Sequence, residues 1–254
     1  MSAGAPRDGP ARVLVTGAAG GIGRATCQVL QARGAHVIGA DLDVAGIEAS
    51  ETLALDVTDE VSVAEVVGVL APLDGLVLSH GVTALGPALQ TPMEAVDRVL
   101  AVNLRGAIAV AQAALPGLAQ RRGRIAVLSS VAGFAPLVHR TAYAASKHGI
   151  HGYFDSLRAE VAEAGVSVTI IAPSFVATGI EERAAFRARG RGGDWSTTGA
   201  VLSPSDVAEA IVDGMLRRRA LVLPSWTARV SYALSRVAPG GYSWLMRRRV
   251  LRDG

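Results

Sequence analysis

Residues 11–23 read ARVLVTGAAGGIG, a short apolar run that passes directly into a glycine-rich turn. The run at 11–15 is typical of a buried parallel strand, and the pattern at 21–33 predicts a helix that Gly34 ends. Glycines let the backbone approach a ligand closely, and the start of a helix offers free N–H groups to a pyrophosphate. The turn therefore predicts a nucleotide site, while an ordinary strand–helix turn is the alternative interpretation.

The alternation of strands and helices continues along the chain. Apolar runs bounded by turn residues predict further strands, and helical periodicity predicts the helices between them. This alternation predicts an α/β fold, a doubly wound parallel sheet of the Rossmann type in a single domain. The predicted strands are 36–40, 52–56, 73–79, 124–129 and 166–171, and the predicted helices are 61–70, 93–120, 141–164 and 204–217.

Segments at both ends frame this domain. Residues 1–10 are polar and rich in glycine and proline, which predicts a flexible N-terminal tail. The Rossmann-type domain is expected to cover residues 11–224, with a final strand near 221–223. Residues 225–254 are expected to form a basic, amphipathic C-terminal extension.

Composition excludes several classes of protein. Half of the 254 residues are hydrophobic and the mean hydropathy is +0.34, so a large core can form and wholesale disorder is excluded. The single cysteine, Cys27, excludes an internal disulfide and favours a cytoplasmic location. The five histidines form no metal-ligand pattern, so no metal is expected. The longest apolar stretch, 107–115, is shorter than the roughly 20 residues that a membrane span needs.

An acidic residue ends the second predicted strand. Asp41 lies twenty-four residues after Gly17, where a carboxylate can accept hydrogen bonds from the adenosine ribose and would repel a 2′-phosphate. Leu42 and Asp43 follow it, so no basic residue stands beside it in the sequence. The alternative is a turn or cap aspartate. Together with the glycine-rich turn, Asp41 favours NAD over NADP.

Another group of polar residues follows the later strands. Tyr143 and Lys147 are four residues apart near the start of a predicted helix, so their side chains share one face. A nearby cation lowers the pKa of a tyrosine, as a general base near neutral pH requires. Ser130 follows the preceding strand, at the edge where open α/β sheets bind ligands. A solvated surface pair is the alternative, but Lys147 is the only lysine among 25 basic residues.

These motifs together resemble the classical type of short-chain dehydrogenase/reductase over residues 11–213. Residues 16–23 match its T-G-x-x-x-G-x-G motif, and Tyr143 and Lys147 match its Y-x-x-x-K motif. Ser130 stands thirteen residues before the tyrosine, where the family has a catalytic serine. The remaining matches are Asn103, Asp56 and the segment 173–178.

The resemblance implies hydride transfer between a secondary alcohol and NAD. It implies that Tyr143 exchanges the hydroxyl proton, that Ser130 binds the substrate oxygen and that Lys147 binds the nicotinamide ribose. Asn103 would hold a water molecule in a proton relay. The cofactor-binding residues that the resemblance implies are Gly17, Ala19, Gly21, Ile22, Gly23, Asp41, Asp56, Val57, Gly81, Tyr143, Lys147, Pro173, Val176 and Thr178.

Three segments depart from the family pattern. Residues 78–81 read LSHG where the family has N-N-A-G, so the hydrogen bonds of the missing asparagines must be replaced. We expect His80 to have this structural role. Ser174 follows Pro173 where the family has a glycine, and the usual V-D-G-G ending is absent.

The leading interpretation is an NAD-dependent dehydrogenase or ketone reductase for a hydrophobic secondary alcohol, acting as a homodimer or homotetramer. One alternative is an NADPH-dependent 3-oxoacyl carrier reductase, which Asp41 argues against. Another is a nucleotide-binding regulatory protein without catalysis, which would not need a tuned tyrosine. The basic residues show no helix-turn-helix, zinc-finger or aromatic-interleaved pattern, so no nucleic-acid partner is expected.

A long segment, 177–201, joins the sixth predicted strand to the next helix. It contains hydrophobic residues among arginines, together with Gly190, Gly192 and Gly193, which supply flexibility. Long segments without strong structure of their own tend to be functional or disordered. Because the corresponding segment of the family closes over the substrate, we predict a lid that sets specificity.

The basic extension combines apolar and charged periodicity. Residues 217–254 contain nine arginines and one acidic residue, which gives this part +8 when the whole chain carries +3. Trp226, Val230 and Val237 recur at helical spacing, and residues 239–241 are expected to break the helix before it resumes at 242–251. We expect the apolar face to pack on the domain or on a second subunit, next to the substrate entrance. Contact with an anionic membrane is the alternative.

Overall fold

Strands and helices alternate along the chain, as the sequence predicts. The structure is a computed structural model and describes residues 11–70, 72–182, 184–188 and 201–253. The strands are β1 (Arg12–Thr16), β2 (His36–Asp41), β3 (Glu51–Ala54), β4 (Gly75–Leu78), β5 (Ala84–Leu85), β6 (Arg124–Leu128), β7 (Ser167–Ile171), β8 (Phe186–Arg187) and β9 (Leu221–Val222). The helices are α1 (Gly21–Ala32), α2 (Glu60–Gly68), α3 (Met93–Leu100), α4 (Ala107–Arg121), α5 (Thr141–Glu160), α6 (Pro204–Leu216), α7 (Trp226–Val237) and α8 (Pro239–Asp253).

Seven of these strands form one parallel sheet in the order β3-β2-β1-β4-β6-β7-β9. The chain runs outward from β1 in both directions, because β2 and β3 lie on one side of β1 and β4 lies on the other. The reversal between β1 and β4 opens a crevice at the carboxyl ends of the strands, where open α/β sheets bind ligands. The prediction of a doubly wound, Rossmann-type sheet is confirmed.

Both faces of the sheet are buried, which explains the continuous apolar runs in its strands. Alternate side chains of a strand point to opposite faces. Leu14 and Ile38 pack in the cluster that includes side chains of α2, α4 and α5. Val15 and Val37 pack in the other cluster, which includes side chains of α1 and α6. The helices on the two faces therefore hold the carboxyl edge of the sheet in a fixed position.

Some elements differ from the sequence predictions. Strands β5 and β8 were not predicted, and they pair with each other in parallel over two residues each. The helix predicted at 141–164 ends earlier, at Glu160, and the strand predicted at 52–56 spans Glu51–Ala54. These differences lie at element ends and in very short strands, where periodicity carries little information.

The helix predicted at 93–120 is one continuous helical run that includes a π-helical stretch, Ala101–Gly106, between α3 and α4. The run Met93–Arg121 has 29 residues and an 18-residue window of mean hydropathy 1.4, so by length and composition alone it could cross a membrane. The apolar stretch 107–115, which we judged too short for a membrane span, therefore underestimates the length of this helical run, because α4 continues through Pro116. We assign the run to the core, since Val110 and Leu118 are fully buried in the cluster on the sheet.

The C-terminal extension begins after β9, the final strand that the sequence predicts. The hydroxyl of Ser225 accepts a hydrogen bond from the backbone N–H of Ala228 and caps α7. The predicted break between two helices is confirmed, but it lies at Ala238, the C-cap of α7, rather than at 239–241. Helix α8 already begins at Pro239, because a proline is tolerated in the first turn of a helix. The predicted N-terminal tail, residues 1–10, and most of the predicted lid lie outside the described residues.

Candidate active site

Two glycines shape the turn between β1 and α1. Gly17 has a φ of +72°, and a Cβ added there would lie 2.5 Å from the backbone nitrogen of His80. A Cβ added to Gly23 would lie 2.0 Å from the carbonyl oxygen of Gly17. The turn can fold this closely against the first turn of α1 only with glycine at both positions.

The N-terminus of α1 is arranged to receive an anion. Its N-cap residue is Gly20, which makes no side-chain cap hydrogen bond, and the first turn contains no acidic residue. Thr178 lies next to it, because a Cβ added to Gly21 would be 3.4 Å from the Cα of Thr178. Ile22 is buried, so it can offer only its backbone to a ligand. Free N–H groups and the helix dipole suit the pyrophosphate of a dinucleotide.

Asp41 lies beside this turn at the end of β2. Its Oδ2 accepts a hydrogen bond from the backbone N–H of Ala19 at 3.0 Å, and its Oδ1 accepts one from Leu42 at 2.8 Å. Each carboxylate oxygen has a further lone pair for a ribose hydroxyl. The structure thus places Asp41 where the sequence predicts a ribose-binding carboxylate.

Asp56 and Val57 follow β3 at the same edge of the sheet. Asp56 accepts two hydrogen bonds from Thr58, one from its hydroxyl at 2.7 Å and one from its backbone N–H at 2.9 Å. These bonds hold the pKa of Asp56 below its ordinary value. Val57 is buried against the π-helical stretch, where a Cβ added to Gly106 would lie 2.8 Å from a Val57 methyl carbon.

Ser79 and His80 replace the hydrogen bonds of the missing asparagines. The Ser79 hydroxyl donates to the Thr16 carbonyl at 2.6 Å, and the His80 ring nitrogen Nδ1 lies 2.6 Å from the Thr16 hydroxyl. Burial, together with the charge of Lys147, lowers the pKa of His80 to about 3. His80 is therefore neutral and ties β4 to β1, which is the structural role expected from the sequence.

Asn103 joins the π-helical stretch to the segment after β4. Its Oδ1 accepts from the backbone N–H of Val82 at 2.8 Å, and its Nδ2 donates to the Val82 carbonyl at 2.9 Å and to the Ser146 hydroxyl at 3.1 Å. Both amide protons are used, so a relay water would be held by an oxygen of Asn103, in its side chain or its backbone. Gly81 is adjacent, because a Cβ added there would lie 3.3 Å from Asn103 Oδ1 and 3.9 Å from Lys147 Nζ.

Ser130, Tyr143 and Lys147 converge at the carboxyl end of β6. The Tyr143 phenol is hydrogen-bonded to the Ser130 hydroxyl, which also accepts from the backbone N–H of Ala132 at 3.2 Å. Lys147 is buried, its Nζ donates to the Leu128 carbonyl at 2.7 Å, and it lies 5.7 Å from the centroid of the Tyr143 ring. The structure therefore brings together the three side chains that the sequence predicts to act as a group.

Burial controls the acid–base properties of this group. It raises the pKa of the Tyr143 phenol and lowers the pKa of Lys147 from 10.5 to about 8. The hydrogen bond to Ser130 and the positive charge of Arg140 act on Tyr143 in the opposite direction. From the sequence we expect Lys147 to lower the tyrosine pKa, whereas in this structure the charge that does so belongs to Arg140.

Arg140 is a site residue that the sequence did not reveal. It is the N-cap residue of α5, its side chain is only 8% exposed, and it forms an ion pair with Glu181. Its guanidinium carbon lies 5.9 Å from the centroid of the Phe175 ring. No local motif marks this residue, because Glu181 is 41 positions further along the chain.

The segments that follow β7 complete the site. The Pro173 carbonyl accepts from the backbone N–H of Val131 at 3.0 Å, which ties the segment to the turn after Ser130. Backbone contacts with other segments hold the described parts of the predicted lid in place. The tethering pairs are Val176 with Leu202, Ala185 with Thr83, and Ala188 with Leu85.

Two other kinds of site remain to be considered, a metal centre and a reactive thiol. Among the described residues, no group of three or more histidine, cysteine, aspartate or glutamate side chains could hold a metal ion. Cys27 is buried, and burial raises the pKa of its thiol to about 11. That shift suits a small core side chain rather than a reactive thiol.

The switch point of the sheet, the open N-terminus of α1 and the group of Ser130, Tyr143 and Lys147 define the class of Rossmann-type oxidoreductases. The chain belongs to the short-chain dehydrogenase family, whose model, described as short chain dehydrogenase, matches residues 11–187. Members of this family use a nicotinamide cofactor. The residues at the carboxyl edge of the sheet fit such a dinucleotide, because the start of α1 has no side-chain cap and the Asp41 carboxylate lies beside the glycine-rich turn.

Known proteins of similar sequence and structure agree with this assignment. The chain is 33% identical over 261 residues to "Dehydrogenase/reductase SDR family protein 7-like" of Anopheles gambiae, a match that covers 93% of this chain and 82% of that protein. It is 35% identical over 270 residues to "Probable oxidoreductase EphD" of Mycobacterium tuberculosis, covering 96% of this chain and 46% of that protein. A crystal structure of a short chain dehydrogenase from Burkholderia cenocepacia in complex with NADP has the same fold, with a TM-score of 0.80, 19% identity and coverage of 94% and 98% of the two chains.

Proposed function

We propose that the protein transfers a hydride between a secondary alcohol and a nicotinamide cofactor, interconverting the alcohol and its ketone. The observation that carries the proposal is the convergence of Ser130, Tyr143 and Lys147 beside the glycine-rich turn. Phe175 and Phe186 support a hydrophobic substrate, because they lie in the two segments that pack against the start of α5.

In the oxidation direction, the Tyr143 phenolate accepts the proton of the substrate hydroxyl. Ser130, which is hydrogen-bonded to the phenol, holds the substrate oxygen in place and stabilises the charge that develops on it. The bound cofactor supplies the hydride chemistry. Burial opposes the phenolate, so the Ser130 hydrogen bond and the Arg140 charge are needed to stabilise it.

Lys147 lies between Tyr143 and the buried part of the site that Gly81 and Asn103 form. With a pKa of about 8, its ammonium group can release and take up a proton near neutral pH. The neighbouring Gly81 leaves room between Lys147 and Asn103, which is where we place a relay water. Lys147 and Tyr143 would also hold the nicotinamide ribose.

The cofactor we infer is NAD rather than NADP. The support is the Asp41 carboxylate, which is aligned by Ala19 and Leu42 and would repel a 2′-phosphate. The double variant Asp41→Ala/Leu42→Arg should shift the ratio of kcat/KM for NAD and NADP toward NADP, because it removes the ribose acceptor and adds a cation that pairs with phosphate. The single variant Leu42→Ala is the control, and an unchanged ratio in the double variant would contradict the role of Asp41.

The function is tested by initial rates of NAD and NADP reduction over a panel of secondary alcohols with apolar chains of increasing length. We expect turnover with NAD that improves with apolar chain length, and ketone reduction in the reverse direction. Cofactor binding without turnover on any alcohol or ketone would favour the regulatory alternative. Strict dependence on NADPH with 3-oxoacyl thioesters would favour the carrier reductase.

We further propose a cytoplasmic homodimer or homotetramer that acts on a small-molecule alcohol or ketone and has no nucleic-acid partner. The buried thiol of Cys27 is consistent with a reducing compartment. Light scattering of the purified chain would give the subunit number, and a monomer would contradict this proposal.

A further inference from the structure

Helices α7 and α8 present apolar side chains to solvent. On α7, Trp226, Val230 and Val237 are 77%, 42% and 86% exposed, and their spacing puts them on one helix face. On α8, Trp244 and Leu245 are 50% and 38% exposed. From the sequence we expect the apolar face to pack on the domain or on a second subunit; in the structure of the single chain it does not pack on the domain and points outward. We call these five residues the tail face.

The opposite side of α7 holds this helix on the domain, and α8 packs on α7. Ala228 and Tyr242 are buried. The Tyr232 ring packs edge-on against Phe134, with 5.0 Å between the ring centroids. The tail is therefore attached to the domain through α7, and the tail face is the apolar surface that these two helices leave uncovered.

Positive charge surrounds the tail face. Residues 225–254, which form the tail, contain six arginines and one acidic residue, while the whole chain carries only +3. Arg229 and Arg236 are exposed along one flank of the apolar stripe on α7. On α8, the Arg248 guanidinium lies over the Trp244 ring, 4.2 Å from its centroid. The surface is thus both apolar and strongly cationic.

We propose that the tail face docks on the surface of a bilayer that contains anionic phospholipid. Tryptophan side chains suit the headgroup region, the valines and leucine can enter the acyl boundary, and the arginines pair with lipid phosphates and anionic headgroups. A second copy of the chain is a poorer occupant. A two-fold contact would bring the same arginine-rich surface against itself, and like charges repel.

Docking in this way brings the candidate active site close to the bilayer. The hydroxyl of Ser225, which caps α7, lies 2.9 Å from the hydroxyl of Ser174, directly after Pro173. Tyr232 of α7 packs on Phe134, in the turn that follows Ser130. A site so placed suits a substrate that partitions into lipid. The link to a substrate that partitions into lipid rests on the proposed function, whereas the docking of the tail face on the bilayer does not.

The test is sedimentation of the full chain with vesicles of phosphatidylcholine that contain phosphatidylserine, compared with vesicles of phosphatidylcholine alone. We expect the chain to pellet with the anionic vesicles and to be released by added salt. The double variant Trp226→Ser/Val237→Ser should bind them about tenfold more weakly, because apolar burial is lost. The double variant Arg229→Gln/Arg236→Gln should lose much of the preference for anionic lipid.

A matched control is Val69→Ser/Leu89→Ser, which removes two equally exposed apolar side chains elsewhere, at 78% and 102% exposure, and should leave binding unchanged. Circular dichroism should show that each variant retains the fold. The proposal is overturned if the wild-type chain stays in the supernatant, or if Trp226→Ser/Val237→Ser pellets as well as wild type. It is also overturned if light scattering shows that this variant splits an oligomer, because the tail face would then contact a second copy. Turnover plays no part in these readouts, so they are independent of the proposed function.

Discussion

At the scale of single residues, the charge environment of Tyr143 decides how the site works. The phenol is buried, which raises its pKa and disfavours the phenolate that alcohol oxidation requires. The groups that face it are Ser130 on the turn after β6, Lys147 on its own helix, and Arg140 at the start of that helix. Arg140 is in turn paired with Glu181 from the segment after β7. We expect Arg140 to stabilise the phenolate.

Arg140→Gln should raise the pKa of Tyr143 further, because a nearby positive charge that favours the phenolate is removed. The acidic limb of the pH profile of kcat/KM for alcohol oxidation, where the phenolate is protonated as the pH falls, should therefore move to higher pH, and the rate near neutral pH should fall severalfold. Arg33→Gln, which breaks a surface ion pair with Glu209 and Asp213, is the control. A limb that stays in place, or that moves to lower pH, would show that Arg140 does not act on the phenol.

The sequence could predict part of this residue group and not the rest. Tyr143 and Lys147 are one helical turn apart, so their shared face follows from the spacing alone. Arg140 and Glu181 are 41 residues apart, and they meet only because the segment after β7 folds over the start of α5. The opposing effects of burial and of the Arg140 charge on the pKa of Tyr143 depend on this long-range contact, so the sequence pattern could not predict them.

At the scale of elements, the turn between β1 and α1 depends on contacts that exclude side chains. A Cβ on Gly23 would lie 2.0 Å from a backbone oxygen of Gly17, a distance that no rotamer change relieves. A Cβ on Gly68, the last residue of α2, would meet nothing within 4 Å. Alanine variants at these two positions therefore distinguish two effects. At Gly23 the added methyl group clashes within the turn, whereas at Gly68 only the general preference of helices for alanine applies.

Gly23→Ala should destabilise the protein by about 1–3 kcal/mol, because the added methyl group forces the turn apart. Its cofactor affinity should fall by roughly tenfold or more, since the N–H groups at the start of α1 are displaced. Gly68→Ala should keep or slightly raise stability and leave cofactor affinity unchanged. Urea unfolding and fluorescence titration measure both quantities. Wild-type cofactor affinity in Gly23→Ala would contradict this view of the turn.

Elements with strong periodicity were predictable, and short or irregular ones were not. Five of the predicted strands are mostly buried runs because both faces of the sheet are covered there, namely β1, β2, β4, β6 and β7. The edge strand β3 is mostly exposed. Strands β5 and β8 have two residues each, and their pairing depends on a segment more than 100 residues away in the chain. The π-helical stretch Ala101–Gly106 has the composition of an ordinary helix, and it is recognised only from its backbone hydrogen bonds.

At the scale of the whole molecule, the fold assembles one site from both halves of the chain. The turn after β1 and Asp41 come from the N-terminal half, and Tyr143, Lys147 and Thr178 come from the later elements. They meet because the carboxyl ends of parallel strands share one edge of the sheet. The contact between Gly21 and Thr178 is direct evidence of that assembly. We propose that Tyr143 transfers the proton in this site and that the cofactor binds independently of that step.

The measurement that tests this claim most directly is turnover and cofactor affinity of Tyr143→Phe, compared with wild type. The variant lacks only the phenol oxygen, so kcat for alcohol oxidation should fall on the order of 10³-fold. Its dissociation constant for NAD should stay within about twofold of wild type, because the glycine-rich turn, Asp41 and Lys147 are retained. A variant that keeps a kcat close to that of wild type would contradict the account.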